Sequence, residues 1–211
     1  MTAAITLFGG TFDPVHFGHL ITARAVAEEL GCDLITLLPT ACPPHKDAAR
    51  ASGEDRLAML RLAVAGDRLF EVCRLELDRP GPSYTIDTVE ALLASGGAAG
   101  RASVIVGADM LDGLRTWRRA EDLLGIATIV VACRPGRQQA TATAAEDLAR
   151  CFDAETAARM VVKTVQTPLI DISSSQIRTR VAEGRPIRYL TPEPVATYIR
   201  QHGLYLTKSR G

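Results

Sequence analysis

Two short segments of the 211-residue chain concentrate side chains suited to handling phosphate. The first reads Gly9-Gly-Thr-Phe-Asp-Pro-Val-His-Phe-Gly-His19. An apolar run ends at Phe8 just before it, and an amphipathic stretch begins near Gly18. Glycine lets the backbone turn tightly and brings main-chain N–H groups close to a phosphate or base. His16 and His19 stand three residues apart at the mouth of the expected helix, so both can face one side. The positive helix end there favours an anion, and two imidazoles can donate to phosphate oxygens, better still if protonated. Three of the four histidines (His16, His19 and His45) fall just after expected strand ends, which favours a ligand site over a capping or core role. No metal centre is expected, because the pair lacks a third ligand and Asp13 is read as fixing the turn.

The second segment is Ile172-Ser-Ser-Ser-Gln-Ile-Arg178. Ser173 followed by Gln176 is a capping-box pattern, so a helix should start here. Its N-terminus would be another anion site, with the Ser174 and Ser175 hydroxyls nearby and Arg178 about one turn on. An ordinary capped surface helix has the same spelling. Four further places carry weaker signals. Pro43-Pro-His-Lys46 is either a cation in a crevice or an exposed lysine in a loop. In Pro82-Ser-Tyr-Thr-Ile-Asp-Thr88, Ser83 or Thr85 is expected to cap a helix whose bare N–H groups suit a carboxylate. Gly107-Ala-Asp109 ends a strand, and its Asp either accepts from ribose hydroxyls or caps a helix. Trp117, the one tryptophan, reads on its own as a core or interface residue.

The elements that must position these residues follow from periodicity. Strands are expected at Ile5–Phe8, Leu34–Leu38, Phe70–Leu75, Ser103–Val106, Thr128–Ala132 and Val161–Val165. Helices are expected at Gly18–Leu30, Glu54–Ala65, Tyr84–Ala94, Ala144–Phe152, Ser174–Glu183 and Glu193–His202. Leu20, Ala23, Val26, Ala27 and Leu30 share one face of the first helix, as Leu57, Leu60, Ala63 and Val64 do in the second. Strand–helix alternation requires parallel strands and crossover helices, hence an α/β class with helices on both faces. Residues 1–211 read as a single domain, with no repeat and no linker. Two stretches look loose, Thr40–Gly53 and Arg134–Ala144, and both follow strands, where an open parallel sheet forms its ligand crevice.

Composition bounds the partners. Lys plus Arg and Asp plus Glu are 24 each, so charged substrates must be met by local donors, and no basic stripe calls for nucleic acid. The sequence pI of 6.9 leaves homo-oligomer formation open. Five scattered cysteines without a C-x-x-C pair argue against a disulfide framework and a thiolate zinc site. With no membrane span or basic leader visible, a soluble cytoplasmic protein is expected.

The G-G-T-F-D-P-x-H-x-G-H segment resembles the signature of the H-x-G-H nucleotidyltransferase superfamily, related to class I aminoacyl-tRNA synthetases. The version here is most similar to bacterial nicotinate-mononucleotide adenylyltransferases. The resemblance runs from Leu7 to Tyr205, with no family motif over Thr141–Lys163. It implies a Rossmann-like, nucleotidyltransferase-type open sheet, mostly parallel, with C-terminal helices. It also implies an ATP site at Gly9, Gly10, Thr11, Phe12, Gly107 and Asp109. The ATP phosphates would be held by His16, His19, Ser173, Ser174, Ser175 and Arg178, with a Ser in the second signature where Thr is common. His45 and Lys46 would face the acceptor or the transferred phosphate. Ser83, Tyr84 and Thr85 would bind the pyridine mononucleotide, Trp117 would stack on its ring, and Arg134 would contact its phosphate. The implied reaction joins nicotinic acid mononucleotide to the AMP of ATP and releases pyrophosphate. His16, His19, Lys46 and Arg178 would carry the catalysis, and Mg²⁺ would ride on the ATP phosphates. Competing expectations are another adenylyltransferase of the superfamily, such as the phosphopantetheine enzyme, or a non-catalytic nucleotide sensor.

Overall fold

The computed structural model describes residues 5–41, 49–95, 101–111, 113–133, 135–136 and 138–207. Six strands, β1 (Thr6–Gly10), β2 (Ile35–Pro39), β3 (Phe70–Val72), β4 (Ala102–Gly107), β5 (Ala127–Cys133) and β6 (Val161–Gln166), form one sheet in the order β3-β2-β1-β4-β5-β6. Every pairing is parallel. The strand order reverses between β1 and β4, and their carboxyl ends flank the crevice that this topology reserves for ligands.

Strand alternation divides the core into two layers. Ile105 and Val130 belong to one cluster, with Ala23 and Val26 of helix α1 (Phe17–Leu30) and Met59 and Leu60 of α2 (Gly53–Ala63). Their chain neighbours Val104, Val106, Ile129 and Val131 belong to the other, with Ile86 and Val89 of α4 (Thr85–Ala94) and Leu123 and Leu124 of α5 (Ala120–Ile126). A period of two along each strand thus buries both faces, and helices cover both. The C-terminal helices α8 (Ser174–Ala182) and α9 (Glu193–Gln201) join the first cluster through Ile177, Val195 and Ile199.

Two expectations are corrected. The strand beginning at Phe70 ends at Val72, and the chain turns into a short helix, α3 (Leu75–Asp78). Ile35 N–H bonds the Leu69 carbonyl and Leu37 accepts from Cys73, so alternate residues of β2 face β3. The next residue in that series is Pro39, which has no N–H to extend the ladder. The stretch expected to be loose after β5 is helical from Gln138, as α6 (Gln138–Arg150). Its Gln and Ala residues are good helix formers, and Thr141 and Leu148, seven apart, are buried on one side. Sequence periodicity also missed two short helices, α5 and α7 (Ala154–Arg159).

Candidate active site

A cleft of about 990 Å³ opens at the carboxyl ends of β1 and β4. One set of lining residues comes from the turn after β1 and from α8: Gly9 to Asp13, His16, His19, Ser173, Ser174, Ser175 and Arg178. A second set comes from α3 and the start of α4, with Glu76, Ser83, Tyr84, Thr85 and Thr88, joined by Trp117 and Arg118. Gly107 and Asp109, at the end of β4, also line it. The structure therefore gathers most of the residues singled out by spacing. Cys42–Ala48 and Arg134 lie outside the described residues, and with them His45 and Lys46.

The turn after β1 is built for close approach. A Cβ added at Gly9 would meet nothing within 4 Å, so backbone there faces open space. Phe12 has a left-handed φ of 48° and is buried, a conformation held against its steric cost by the packing around it. Phe12 packs edge-on against Phe8 and His19, with ring centroids 5.8 and 5.0 Å away.

His16 is the residue before α1, and His19 lies in its first turn. Their rings stack at 3.7 Å between centroids. The His16 backbone N–H donates to His19 Nδ1 at 3.2 Å, which leaves the proton of a neutral His19 on Nε2. His16 is 5% exposed, and its Nδ1 is buried without a hydrogen-bond partner. Burial lowers its pKa to about 4, so in the free protein it is a neutral imidazole at pH 7. Before an anion arrives, His16 therefore offers a dipole rather than a charge.

Gly18 explains the spacing between the two histidines. A Cβ there would lie 2.9 Å from both Nδ1 and Cε1 of the His16 ring. Gly18→Ala is expected to tilt the His16 ring and lower turnover at least about tenfold, since small misplacements of positioned groups cost that much or more. Thermal unfolding should move little. Unchanged turnover in Gly18→Ala would show that the stacked geometry is dispensable.

At the second signature, Ser173 caps α8 as expected, its Oγ accepting from Gln176 N–H at 3.1 Å. Ser174 Oγ donates to the Pro14 carbonyl at 2.8 Å, and Arg178 Nη1 donates to the Asp13 carbonyl at 2.7 Å. Arg178 Nη2 reaches Ser175 Oγ at 3.0 Å. These bonds fasten α8 to the first turn and aim its N-terminus into the cleft. Neither α1 nor α8 carries an acidic residue in its first turn, whereas α2, α5 and α9 do. The ends of α1 and α8 at the cleft therefore lack an acidic partner of their own, unlike the start of α4, which carries Asp87.

In the second set, neither Ser83 nor Thr85 caps α4: the cap position is Tyr84, with no side-chain hydrogen bond. Ser83 Oγ instead accepts from Ala41 N–H at 3.2 Å. Trp117 is half-buried, packed against the second core cluster while also lining the cleft, so its two readings are compatible. Gly107, not Asp109, occupies the cap position of the short turn at Ala108–Met110, and Asp109 Oδ1 folds back over Gly107.

Sequence reasoning missed Arg56, Glu76 and Arg118. Arg56 is 2% exposed, and its Nη1 ties the carbonyls of Thr11 and Thr40 together at 2.8 Å each. In the sequence it is one more charged residue in a helix. Arg118 sits over the Tyr84 ring at 4.8 Å and follows Trp117, whose place in the cleft wall was the available signal.

Residues 7–180 match the cytidylyltransferase-like family. A probable nicotinate-nucleotide adenylyltransferase of Roseiflexus sp. (strain RS-1) is 43% identical over 205 residues, covering 97% of this chain and 98% of the relative. One of Geobacillus thermodenitrificans (strain NG80-2) is 43% identical over 202 residues, covering 95% and 85%. The Plasmodium falciparum nicotinic acid mononucleotide adenylyltransferase complexed with NaAD superposes with a TM-score of 0.73 at 16% identity, covering 96% of this chain and 97% of that one. At that identity the likeness is one of fold. The chain belongs to the cytidylyltransferase-like family and, within it, to the nicotinate-nucleotide adenylyltransferases.

Proposed function

We propose that the protein transfers the AMP of ATP to nicotinic acid mononucleotide, forming nicotinate adenine dinucleotide and pyrophosphate. The observation that carries this reading is the convergence of two unneutralised helix N-termini, a stacked histidine pair and Arg178 on one cleft. A second polar set, centred on α4 and Trp117, lines the same cleft. The first set suits a polyphosphate and the second an acidic heteroaromatic acceptor.

The acceptor's 5′-phosphate is an anion at neutral pH, so its attack on the α-phosphorus needs no general base. The bond from the α-phosphorus to the leaving pyrophosphate breaks as the new one forms. Catalysis then consists of alignment and of donors aimed at charge building on phosphate oxygens. In this reading His19 supplies Nε2–H, and His16 and the two helix N-termini add dipoles. Arg178 supplies the fixed positive charge, and Lys46 and Arg134 act on the transferred phosphate.

Asp13 does not offer itself to a metal. Its carboxylate already accepts two backbone N–H groups and a tyrosine hydroxyl. Among the described residues no three His, Cys, Asp or Glu side chains converge on a metal position. In this reading magnesium arrives with the substrate, as the counter-ion of the ATP phosphates.

The test is pyrophosphate release with MgATP, comparing nicotinic acid mononucleotide, nicotinamide mononucleotide and phosphopantetheine. Turnover is expected with the first. Folded protein that binds ATP yet turns over none of the three would replace the enzyme reading with a nucleotide sensor. In the same assay, Trp117→Ala is expected to raise KM for the mononucleotide at least about tenfold, the loss of a stacked ring and its buried area. KM for ATP should stay within about twofold; equal rises in both would count against ring stacking.

A further inference from the structure

Glu76 is a cleft-wall acid that the mechanism above does not use. It is 6% exposed, in the short helix α3. Its Oε1 accepts the Thr88 hydroxyl at 2.9 Å, while Oε2 is buried with no hydrogen-bond partner. Thr88 is 1% exposed, one turn into α4, and its Oγ1 also accepts from Arg79 Nη2 at 2.8 Å. The Ser83 and Thr40 hydroxyls help stabilise the ionised acid, but burial dominates and pushes its pKa up. One carboxyl group thus links the end of β2, α3 and the turn that leads into α4.

An acid is a costly brace in such a place. Removing a carboxylate from water costs several kcal/mol unless its oxygens are satisfied, and one of these is not. Packing alone would be served as well by leucine or methionine of similar volume. What a carboxyl adds is direction, because it fixes the Thr88 hydroxyl and so the rotation of the first turn of α4. That turn has no side-chain cap of its own, and Thr88 is where the brace reaches it.

We propose that Glu76 is the positioning residue for the pyridine mononucleotide, holding Thr88 and the Ser83 turn so that the uncapped N-terminus of α4 faces the acceptor. This rests on the acceptor assignment made above.

The experiment compares wild type with Glu76→Ala, Glu76→Gln and Thr88→Val. It measures kcat, KM for nicotinic acid mononucleotide, KM for ATP and thermal unfolding. Glu76→Ala is expected to raise the mononucleotide KM at least about tenfold, as one lost hydrogen bond to a charged group does. KM for ATP should stay within about twofold. Glu76→Gln keeps an oxygen for Thr88 and is expected to recover most of the loss, and Thr88→Val should move in the same direction as Glu76→Ala. Both KM values rising together, or Glu76→Gln as damaging as Glu76→Ala, would overturn the proposal. So would a mononucleotide KM unmoved in folded Thr88→Val, which decides the matter even if Glu76→Ala does not fold. Failure of the acceptor assignment has a separate signature: wild type itself would not use nicotinic acid mononucleotide.

Discussion

His19→Ala is expected to retain the fold and lose about 10²–10³ in kcat, the usual cost of deleting one preorganised donor at developing charge. The fold should survive because His19 is only half-buried, and its Nδ1 accepts the helix-end N–H of His16. Losing that cap costs about 1 kcal/mol. Catalysis should suffer because the capping bond sets the tautomer that carries the proton on Nε2, and Phe12 packs against the ring. His16→Ala should fall as far, with more damage to stability, since it empties a buried site. Pyrophosphate release under saturating substrates, read beside a thermal melt, checks both variants. A folded His19→Ala with near-normal turnover would remove the stacked pair from the phosphates.

The second large effect is on stability. Asp13→Ala is expected to cost about 3–5 kcal/mol, the range for deleting one member of a buried, charged network. Its carboxylate accepts from Arg50 N–H at 2.7 Å, Ala51 N–H at 3.1 Å and the Tyr205 hydroxyl at 2.7 Å. Arg178 Nη1 lies 3.9 Å from it, and its charge also supports buried Arg56. Alanine would leave all of these donors facing an apolar gap. A protein of this size loses about 2–4 °C per kcal/mol, so the midpoint should drop by about 10 °C. Tyr205→Phe, which removes one donor and leaves the charge, should cost about 1 kcal/mol. A loss below that level in Asp13→Ala, measured by denaturant titration, would show that these donors find water instead.

The contrast between the two variants marks what was legible beforehand. His16 and His19 stood out because three-residue spacing, two glycines and a strand end coincide within a few positions, and local geometry decides such sites. Strands and long helices were legible for the same reason: Val104 and Val106, or Ala23 and Val26, repeat with the period of their element. Asp13 was read as a turn residue, and it is one, but three of its partners are separated from it by 37 to 192 positions. Arg56 and Glu76 left no local mark at all. Arg56 looks like the outer face of a helix until Thr11 and Thr40 are folded over it, and Glu76 lies one residue past the expected strand Phe70–Leu75, in a short helix that no periodicity announced. Buried polar residues are chosen by long-range partners, and spacing along the chain does not record those.

Beside the bonds from Arg50, Ala51 and Arg56, a second set that aims the first turn comes from the other end of the protein. Ser174, Arg178, Leu190, Thr191 and Tyr205 all reach back to residues 13–17, across at least 160 positions in the bonds from Ser174, Arg178, Thr191 and Tyr205. A ribosome emits the histidines early and their supports late, at about 5–20 residues per second. A nascent chain stalled before residue 174 contains all six strands yet lacks these bonds to residues 13–17. On the proposed assignment, affinity for nucleotide is expected to arrive near the end of synthesis, and bound ligand to weight the equilibrium toward chains whose C-terminal helices have docked.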